Sequence, residues 1–303
     1  MTEASTVPQK LLLFRLAGKR LSALGTLKIR EIMPTQRLTR IPHSHPAVMG
    51  TMNFRGSAVP VIDMAAAVGY PPLDAEAHKS ASIIVTDIQR QEIGFLVRSV
   101  DRIVEANWKQ VQAPPRALGD QAFITGVLQL GDELIQLLDV ELLLARVYPE
   151  SLRSAPAQLT DIERETLRVQ RILVVDDSQV ARRQLADALK RENIPYEVTG
   201  NGQTALEIIT QANRDQKPVT ILVSDIEMPG MDGYELTFHL RDDSAMHQPY
   251  IILHTSLNSE MSVSYARQVG ANEALTKFDA EELLHAMLRG TDHAIEPARA
   301  ALR

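Results

Sequence analysis

Residues 220–233 read TILVSDIEMPGMDG and combine a strand, a turn and the start of a helix. The apolar run Ile221-Leu222-Val223 predicts a buried strand that stops at Asp225. Proline and glycine then predict a turn before a helical pattern begins. The strand therefore brings the carboxylate of Asp225 to one edge of a sheet.

A second apolar run, ILVV at 172–175, stops in the same way at Asp176 and Asp177. The carboxyl ends of parallel strands lie at one edge of a sheet, so three carboxylates are expected to gather there. Like charges this close disfavour one another, and a cation relieves that repulsion.

Strand and helix patterns alternate from residue 171 onward. The predicted strands are 171–175, 196–198, 220–226, 250–255 and 273–277, and a helical pattern follows each of them. Continuous apolar strands separated by helices predict a parallel sheet covered on both faces. We therefore predict a doubly wound α/β domain with five parallel strands, flavodoxin-like, over residues 171–290.

The same edge is expected to collect Thr255 from the fourth strand and Lys277 from the fifth. Oxygen ligands without histidine or cysteine suit Mg²⁺. A carboxylate such as Asp225 can attack phosphorus, and a lysine and a hydroxyl can bind the phosphoryl oxygens. Taken alone, each residue has a simpler interpretation as a helix cap, a solvated charge or a side chain that hydrogen-bonds to the backbone. Five in order at successive strand ends favour a phosphorylation site.

The first half, residues 11–148, has many short predicted strands separated by turns. Two runs of apolar-apolar-aspartate, at 61–63 and 137–139, each precede a short helical pattern. This repetition predicts two similar small barrels packed together. No arrangement of residues here is typical of a catalyst, so the half is interpreted as a binding module.

Composition limits the remaining possibilities. The chain has 303 residues, no cysteine and a formal net charge of −6. This length suits two domains, and neither half is basic enough to predict a nucleic-acid partner. No run is long and apolar enough for membrane insertion, so a cytoplasmic protein is expected. Residues 1–10 and 291–303 are predicted tails. Residues 149–170 are a predicted linker that is helical from about Thr160, where a capping box begins, and the alternative is a disordered tether.

Four short motifs occur in order in the first half: Arg30-Glu31-Ile32, Thr39-Arg40-Ile41-Pro42, Gly50-Thr51-Met52-Asn53-Phe54-Arg55-Gly56 and Val59-Pro60-Val61-Ile62-Asp63. Their order resembles the CheW family of chemotaxis coupling proteins. The resemblance implies an all-β double SH3-like barrel, with five strands in each barrel, that bridges chemoreceptors and a histidine kinase. It also implies that Glu31 and Arg55 lie near the contacts with those partners.

The second half resembles the response regulator receiver domain. The resemblance implies that Asp225 accepts a phosphoryl group and that Asp176 and Asp177 hold Mg²⁺. It further implies that Thr255 is the switch hydroxyl and Lys277 the invariant lysine. A sixth position, Glu227, is implied to meet the metal through its backbone carbonyl.

Two positions depart from the receiver pattern. Receivers usually have an aromatic residue where this chain has Ala274, and a proline where it has Phe278.

A coupling half followed by a receiver half is the arrangement of CheV-type chemotaxis proteins. It implies an adaptor, not an enzyme, recruited to arrays of methyl-accepting chemoreceptors and a CheA-type histidine kinase. Phosphorylation at Asp225 would regulate this coupling. The alternative is a phosphate sink that drains phosphoryl groups from the kinase. A phosphohydrolase of the haloacid dehalogenase type is disfavoured, because it needs a D-x-D pattern that Asp176-Asp177-Ser178 lacks.

Overall fold

The computed structural model describes residues 9–88, 91–106, 110–112, 114, 122–149, 159–255, 260–276 and 280–300. They form two compact units, one up to residue 149 and the other from residue 159. The predicted fold class, an all-β double barrel followed by a doubly wound α/β domain, is confirmed. Among the described residues, no helix combines the length and apolar character needed to cross a lipid bilayer.

The N-terminal unit consists of two sheets and short helices. Its strands are β1 (Gln9–Arg15), β2 (Leu21–Gly25), β3 (Ile29–Pro34), β4 (Val48–Phe54), β5 (Ser57–Asp63), β6 (Ser82–Ile88), β7 (Gln91–Val97), β8 (Ser99–Ala106), β9 (Val111–Gln112), β10 (Ile124–Leu130) and β11 (Glu133–Leu138). Its helices are α1 (Met64–Ala67), α2 (Ala75–Ser80) and α3 (Val140–Val147). One sheet has the order β8-β1-β2-β11-β10-β9, and the other β3-β6-β7-β5-β4.

The first sheet has six strands where the family resemblance implies five. The additional strand is β9, whose residues Val111 and Gln112 pair with Leu128 and Val127 of β10. This two-residue strand covers the edge of β10, which would otherwise present unpaired backbone groups.

The repeated apolar-apolar-aspartate motif marks the same local structure twice. Asp63 accepts a hydrogen bond from the backbone N–H of Ala66 at 3.1 Å and caps α1. Asp139 accepts one from Leu142 at 2.8 Å and caps α3. Each carboxylate satisfies a backbone donor at the start of a helix, so both residues have a structural role.

The C-terminal unit is a parallel sheet with helices on both faces. Its elements are α4 (Asp161–Arg168), β12 (Ile172–Val175), α5 (Gln179–Arg191), β13 (Glu197–Thr199), α6 (Gly202–Arg214), β14 (Ile221–Asp225), α7 (Gly233–Asp242), β15 (Tyr250–Thr255), α8 (Glu260–Gln268), β16 (Glu273–Thr276) and α9 (Ala280–Ala300). The strand order is β13-β12-β14-β15-β16. The chain reverses direction across the sheet between β12 and β14, which is where such folds place their sites.

Alternate side chains of β14 pack into two different hydrophobic cores, one on each face of the sheet. Leu222 packs with residues of α6, α7 and α8, whereas Ile221 and Val223 pack with residues of α5 and α9. Both faces of this strand are buried, as its continuous apolar run predicts.

Helix α9 is longer than its sequence pattern predicts. The apolar spacing ends at Leu288, but the helix continues to Ala300 and includes much of the predicted tail. Thr291 is buried, and its hydroxyl donates to the carbonyl of Leu288 at 2.7 Å. The helix is therefore still packed on the domain at Thr291.

The linker helix α4 begins as predicted. Thr160 is its N-cap, and Thr160 and Glu163 form the predicted capping box. The backbone and hydroxyl of Thr160 hydrogen-bond to the carboxylate of Glu163 and hold its pKa below the usual value. The helix belongs to the C-terminal unit, where Leu167 is fully buried.

Candidate functional site

Three carboxylates meet at the carboxyl ends of β12 and β14. The two strands pair in parallel with Val175 beside Ser224, so they end side by side. One carboxylate oxygen from each of Asp176, Asp177 and Asp225 lies within 4.8 Å of the others. Asp176 is fully buried and Asp225 is 4% exposed. The structure therefore brings together the three aspartates that the sequence singled out.

The loop after β14 holds the Asp225 carboxylate from one side. The backbone N–H of Glu227 donates to Oδ1 of Asp225 at 3.3 Å. Ile226 and Met228 are buried and pack into the core beneath the loop. Two apolar anchors on either side of Glu227 thus fix the peptide group that contacts the Asp225 carboxylate.

Gly233 closes this loop. Its N–H donates to the carbonyl of Ile226 at 3.0 Å. A Cβ atom at position 233 would lie 2.2 Å from the backbone oxygen of Asp225, which is well inside contact distance. Glycine is therefore required for α7 to begin against the end of β14.

Hydrogen bonds to the end of β13 and to the start of α5 hold the acidic pair, Asp176 and Asp177. The N–H of Asp176 donates to the carbonyl of Thr199 at 3.2 Å, which joins the pair to the end of β13. The N–H of Ser178 donates to Oδ1 of Asp176 at 2.8 Å, and the side chain of Ser178 caps α5. From within α5, Arg182 donates to the carbonyl oxygens of Asp176 and Asp177.

Of the remaining receiver positions, Thr255 is the last residue of β15. Asp225 pairs with His254, and Thr255 ends β15 in register with Thr276. The backbone of Thr255 thus stands at the same edge as the aspartates. Its side chain is not within the part of the structure that is described, and Lys277 and Phe278 also lie outside the described residues.

Strand β16 is anchored at its amino end. The Tyr250 hydroxyl donates to Glu273 at 2.6 Å, and Arg289 donates to both oxygens of that carboxylate. Burial and the bond to Glu273 both raise the pKa of Tyr250 above its usual value. Ala274 is half-buried against the core shared with α6, α7 and α8. Alanine has no aromatic ring that could reorient at this position.

The three aspartates fit a magnesium ion. At a Mg–O distance of about 2.1 Å, two ligand oxygens lie at most about 4.2 Å apart. Adjacent ligands in an octahedral shell are closer still, at about 3 Å, so the oxygens, which lie within 4.8 Å of one another, would move inward to complete the set. Oxygen donors alone also suit this hard ion better than a softer metal.

Glu31 and Arg55 form an ion pair in the N-terminal unit. Nη2 of Arg55 lies 2.6 Å from Oε2 of Glu31, and the Arg55 side chain is 73% exposed. Glu31 belongs to β3, one edge of its sheet, and Arg55 follows β4, the other edge. The pair therefore joins the two outer strands, as expected for a sheet that curls toward a barrel.

Arg182 and Gly233 contribute to this site, but neither was predicted from the sequence. A cation near the amino end of a helix opposes the helix dipole, and this mismatch at Arg182 is a signal that could have identified it. The glycine directly after Asp232, the N-cap of α7, is the corresponding signal for close backbone approach. The partners of both residues depend on tertiary structure.

Two family models match the chain. The CheW-like domain matches residues 10–147, and the response regulator receiver domain matches residues 172–289. Chemotaxis protein CheV3 of Helicobacter pylori is 29% identical over 268 residues, covering 86% of this chain and 85% of that protein. Chemotaxis protein CheV2 of the same organism is 25% identical and covers 92% and 93%, respectively.

A CheW relative matches the first half alone. The probable chemotaxis protein CheW of Rhizobium etli is 30% identical over 145 residues, which is 47% of this chain and 92% of that protein. The two CheV proteins, by contrast, align with both halves. The chain therefore belongs to the CheV-type chemotaxis proteins, adaptors in which a CheW-like domain precedes a response regulator receiver domain.

Proposed function

We propose that the CheW-like domain couples methyl-accepting chemoreceptors to a CheA-type histidine kinase, and that phosphorylation of Asp225 by that kinase regulates the coupling. The observation that carries this proposal is the cluster of Asp176, Asp177 and Asp225 at the strand ends. It occurs in the same chain as a CheW-like domain. A receiver domain that would be phosphorylated by the kinase is thereby linked to a CheW-like domain that would couple receptors to that kinase.

The proposed reaction moves one phosphoryl group. An oxygen of the Asp225 carboxylate attacks the phosphorus of the kinase phosphohistidine. A P–O bond forms, the P–N bond breaks, and its electron pair remains on the imidazole nitrogen. Asp176 and Asp177, with Asp225, would hold Mg²⁺, which supplies positive charge to the phosphoryl oxygens.

The other proposed residues act on the phosphoryl group once it is bound. Lys277 would place its ammonium group beside the phosphoryl oxygens, and Thr255 would donate its hydroxyl to one of them. Glu227 would contribute its backbone carbonyl to the metal. Binding of the phosphoryl group by Thr255 would then carry the signal.

Reconstitution of receptor, kinase and this protein tests the regulation directly. Kinase activity is expected to change as wild-type protein becomes phosphorylated, and to stay at its initial level with Asp225→Ala. A phosphate sink predicts fast transfer with no change in coupling. Equal kinase activity with both forms, while both bind the array, would contradict regulation through the receiver.

The backbone at Arg55 supports a role in partner binding. Phe54 pairs with Ser57, so Arg55 and Gly56 form a two-residue hairpin turn, with φ of 51° and 91°. Such turns favour asparagine at the first position, and an arginine there costs about 1–2 kcal/mol. A strained arginine whose side chain is exposed at a hairpin tip supports a role in binding.

Replacing Arg55 by asparagine is expected to separate binding from folding. Asparagine relieves the strain of about 1–2 kcal/mol at the turn, which offsets the loss of the exposed ion pair with Glu31, worth about 0–1 kcal/mol. The unfolding temperature of the N-terminal unit should therefore be unchanged or higher. Affinity for the receptor–kinase complex should fall by about 2 kcal/mol, or about 30-fold in Kd. Calorimetric unfolding and a binding titration measure the two effects.

Lys79→Asn is the matched control for this substitution. Lys79 has a similarly exposed side chain, 74% against 73%, and also forms an ion pair, with Glu76. Its loss should leave Kd unchanged. If Arg55→Asn binds as tightly as Lys79→Asn, Arg55 is not a contact residue.

A further inference from the structure

Arg182 turns back from α5 toward the loop that carries the acidic pair. Its Nη1 donates to the backbone oxygen of Asp176 at 2.6 Å and to that of Asp177 at 2.9 Å. One guanidinium nitrogen thus ties two consecutive peptide groups. Charge-assisted hydrogen bonds of this kind are stronger and geometrically more specific than neutral ones.

Gly200 provides the space in which the guanidinium group lies. A Cβ atom at position 200 would be 2.8 Å from Nη1 of Arg182 and 3.2 Å from its Cζ. Gly200 directly follows β13, whose last residue, Thr199, accepts the hydrogen bond from the N–H of Asp176. The end of β13 therefore supports both the acidic pair and the arginine that contacts it.

These contacts restrain the acidic pair from several directions. The N–H of Asp176 is bound by Thr199, and its carboxylate by the N–H of Ser178. Arg182 binds both carbonyl groups of the pair. With its peptide groups fixed, the loop has little freedom to swing either carboxylate away from Asp225.

We propose that Arg182, seated against Gly200, is a positioning residue for the magnesium site, because it holds the backbone of Asp176 and Asp177 so that their carboxylates converge with Asp225. This inference rests on the proposed function, which makes the three aspartates a magnesium site. Residues that orient metal ligands typically contribute about 10- to 100-fold in metal affinity.

The sign of the effect separates positioning from simple electrostatics. A positive charge beside three carboxylates repels a cation, so removing it should tighten Mg²⁺ binding if charge alone matters. If Arg182 positions the ligands, removing it should weaken Mg²⁺ binding despite the more negative site. The two roles thus predict opposite changes in Kd.

Isothermal titration of Mg²⁺ into the full-length protein tests the inference. Arg182→Met is expected to raise the Kd for Mg²⁺ about 10- to 100-fold. Arg182→Lys, which retains a donor and a charge, should recover part of that loss. Gly200→Ala keeps the arginine but displaces its flexible end, so it should weaken binding in the same direction.

Two further variants complete the design. Arg183→Met removes the same charge from the next residue, which is exposed, and should change Kd by no more than about twofold because exposed charges are screened. Asp176→Asn removes one proposed ligand and should greatly weaken binding. Circular dichroism measures whether each variant is folded. If Arg182→Met is unfolded, Arg182→Lys and Gly200→Ala test the inference in its place.

The outcomes distinguish this inference from the proposed function. Unchanged or tighter Mg²⁺ binding by both Arg182 variants and by Gly200→Ala overturns the positioning role and leaves the magnesium site intact. Wild-type protein that binds no Mg²⁺, or binds it equally after Asp176→Asn, overturns the proposed site and the positioning role together. Weaker binding by the Arg182 variants, with Arg183→Met unchanged, supports the inference.

Discussion

Asp225→Asn is expected to abolish uptake of phosphate from the phosphorylated kinase, by about 10³-fold or more. The amide retains a carbonyl oxygen that can accept the hydrogen bond that Glu227 N–H donates to Oδ1 of Asp225. The fold around the residue should therefore survive. What the variant lacks is a nucleophilic carboxylate and one negative charge for the cation. The loss is thus assigned to chemistry and not to unfolding.

Radiolabelled phosphate transfer from the kinase measures this loss. Asp215→Asn is the matched control, because Asp215 is an exposed aspartate at the end of α6 and should label like wild type. Hydroxylamine should release the label from wild-type protein, since it cleaves acyl phosphates. Persistent labelling of Asp225→Asn would place the acceptor elsewhere.

The acidic cluster could be predicted because it follows from strand geometry alone. Once β12 and β14 are recognised as parallel neighbours, residues that end these strands or directly follow them must share an edge. Asp176, Asp177 and Asp225 are such residues, and their approach needs no knowledge of side-chain packing. The capping box at Thr160 was predictable for the same reason, since it depends only on local spacing.

The supporting contacts could not be predicted, because they join residues that only the tertiary fold brings together. Arg182 and Gly200 are in close contact although β13 lies between them along the chain. Gly233 approaches the backbone of Asp225 although a loop lies between them along the chain. The Glu31–Arg55 pair depends on how a sheet curls, which strand patterns do not specify. Sequence patterns thus identify the chemical groups better than the residues that position them.

Helix α4 shows the same division between local and tertiary information. Its start was predictable, whereas its inclusion in the C-terminal unit was not. Leu167 packs among buried residues of β12, α5 and α9. Arg164 donates from Nε and Nη2 to Glu192 at 3.1 and 3.0 Å, and Arg168 donates to the carbonyl of Asn193 at 3.2 Å. A segment outside both matched family domains is therefore integral to the core of the C-terminal unit.

Leu167→Ala is accordingly expected to destabilise the C-terminal unit by about 2–5 kcal/mol, because it removes a fully buried side chain and leaves a cavity. A chain with two compact units need not unfold in one step, so a single melting temperature is a poor measure. Native-state hydrogen exchange of amides in β12 and β14 reports the free energy of unfolding of this unit alone. Those amides should exchange faster, while amides of the N-terminal unit should not change.

Ile162→Ala is the control within the same helix. Ile162 is 81% exposed, so its truncation should change the free energy of unfolding by no more than about 0.5 kcal/mol. Both substitutions shorten an aliphatic side chain to alanine in one helix, so their difference isolates burial. If Leu167→Ala leaves exchange in β12 and β14 as slow as Ile162→Ala does, α4 contributes nothing to the stability of the sheet. The linker helix would then be a spacer attached to the receiver domain, despite its buried leucine.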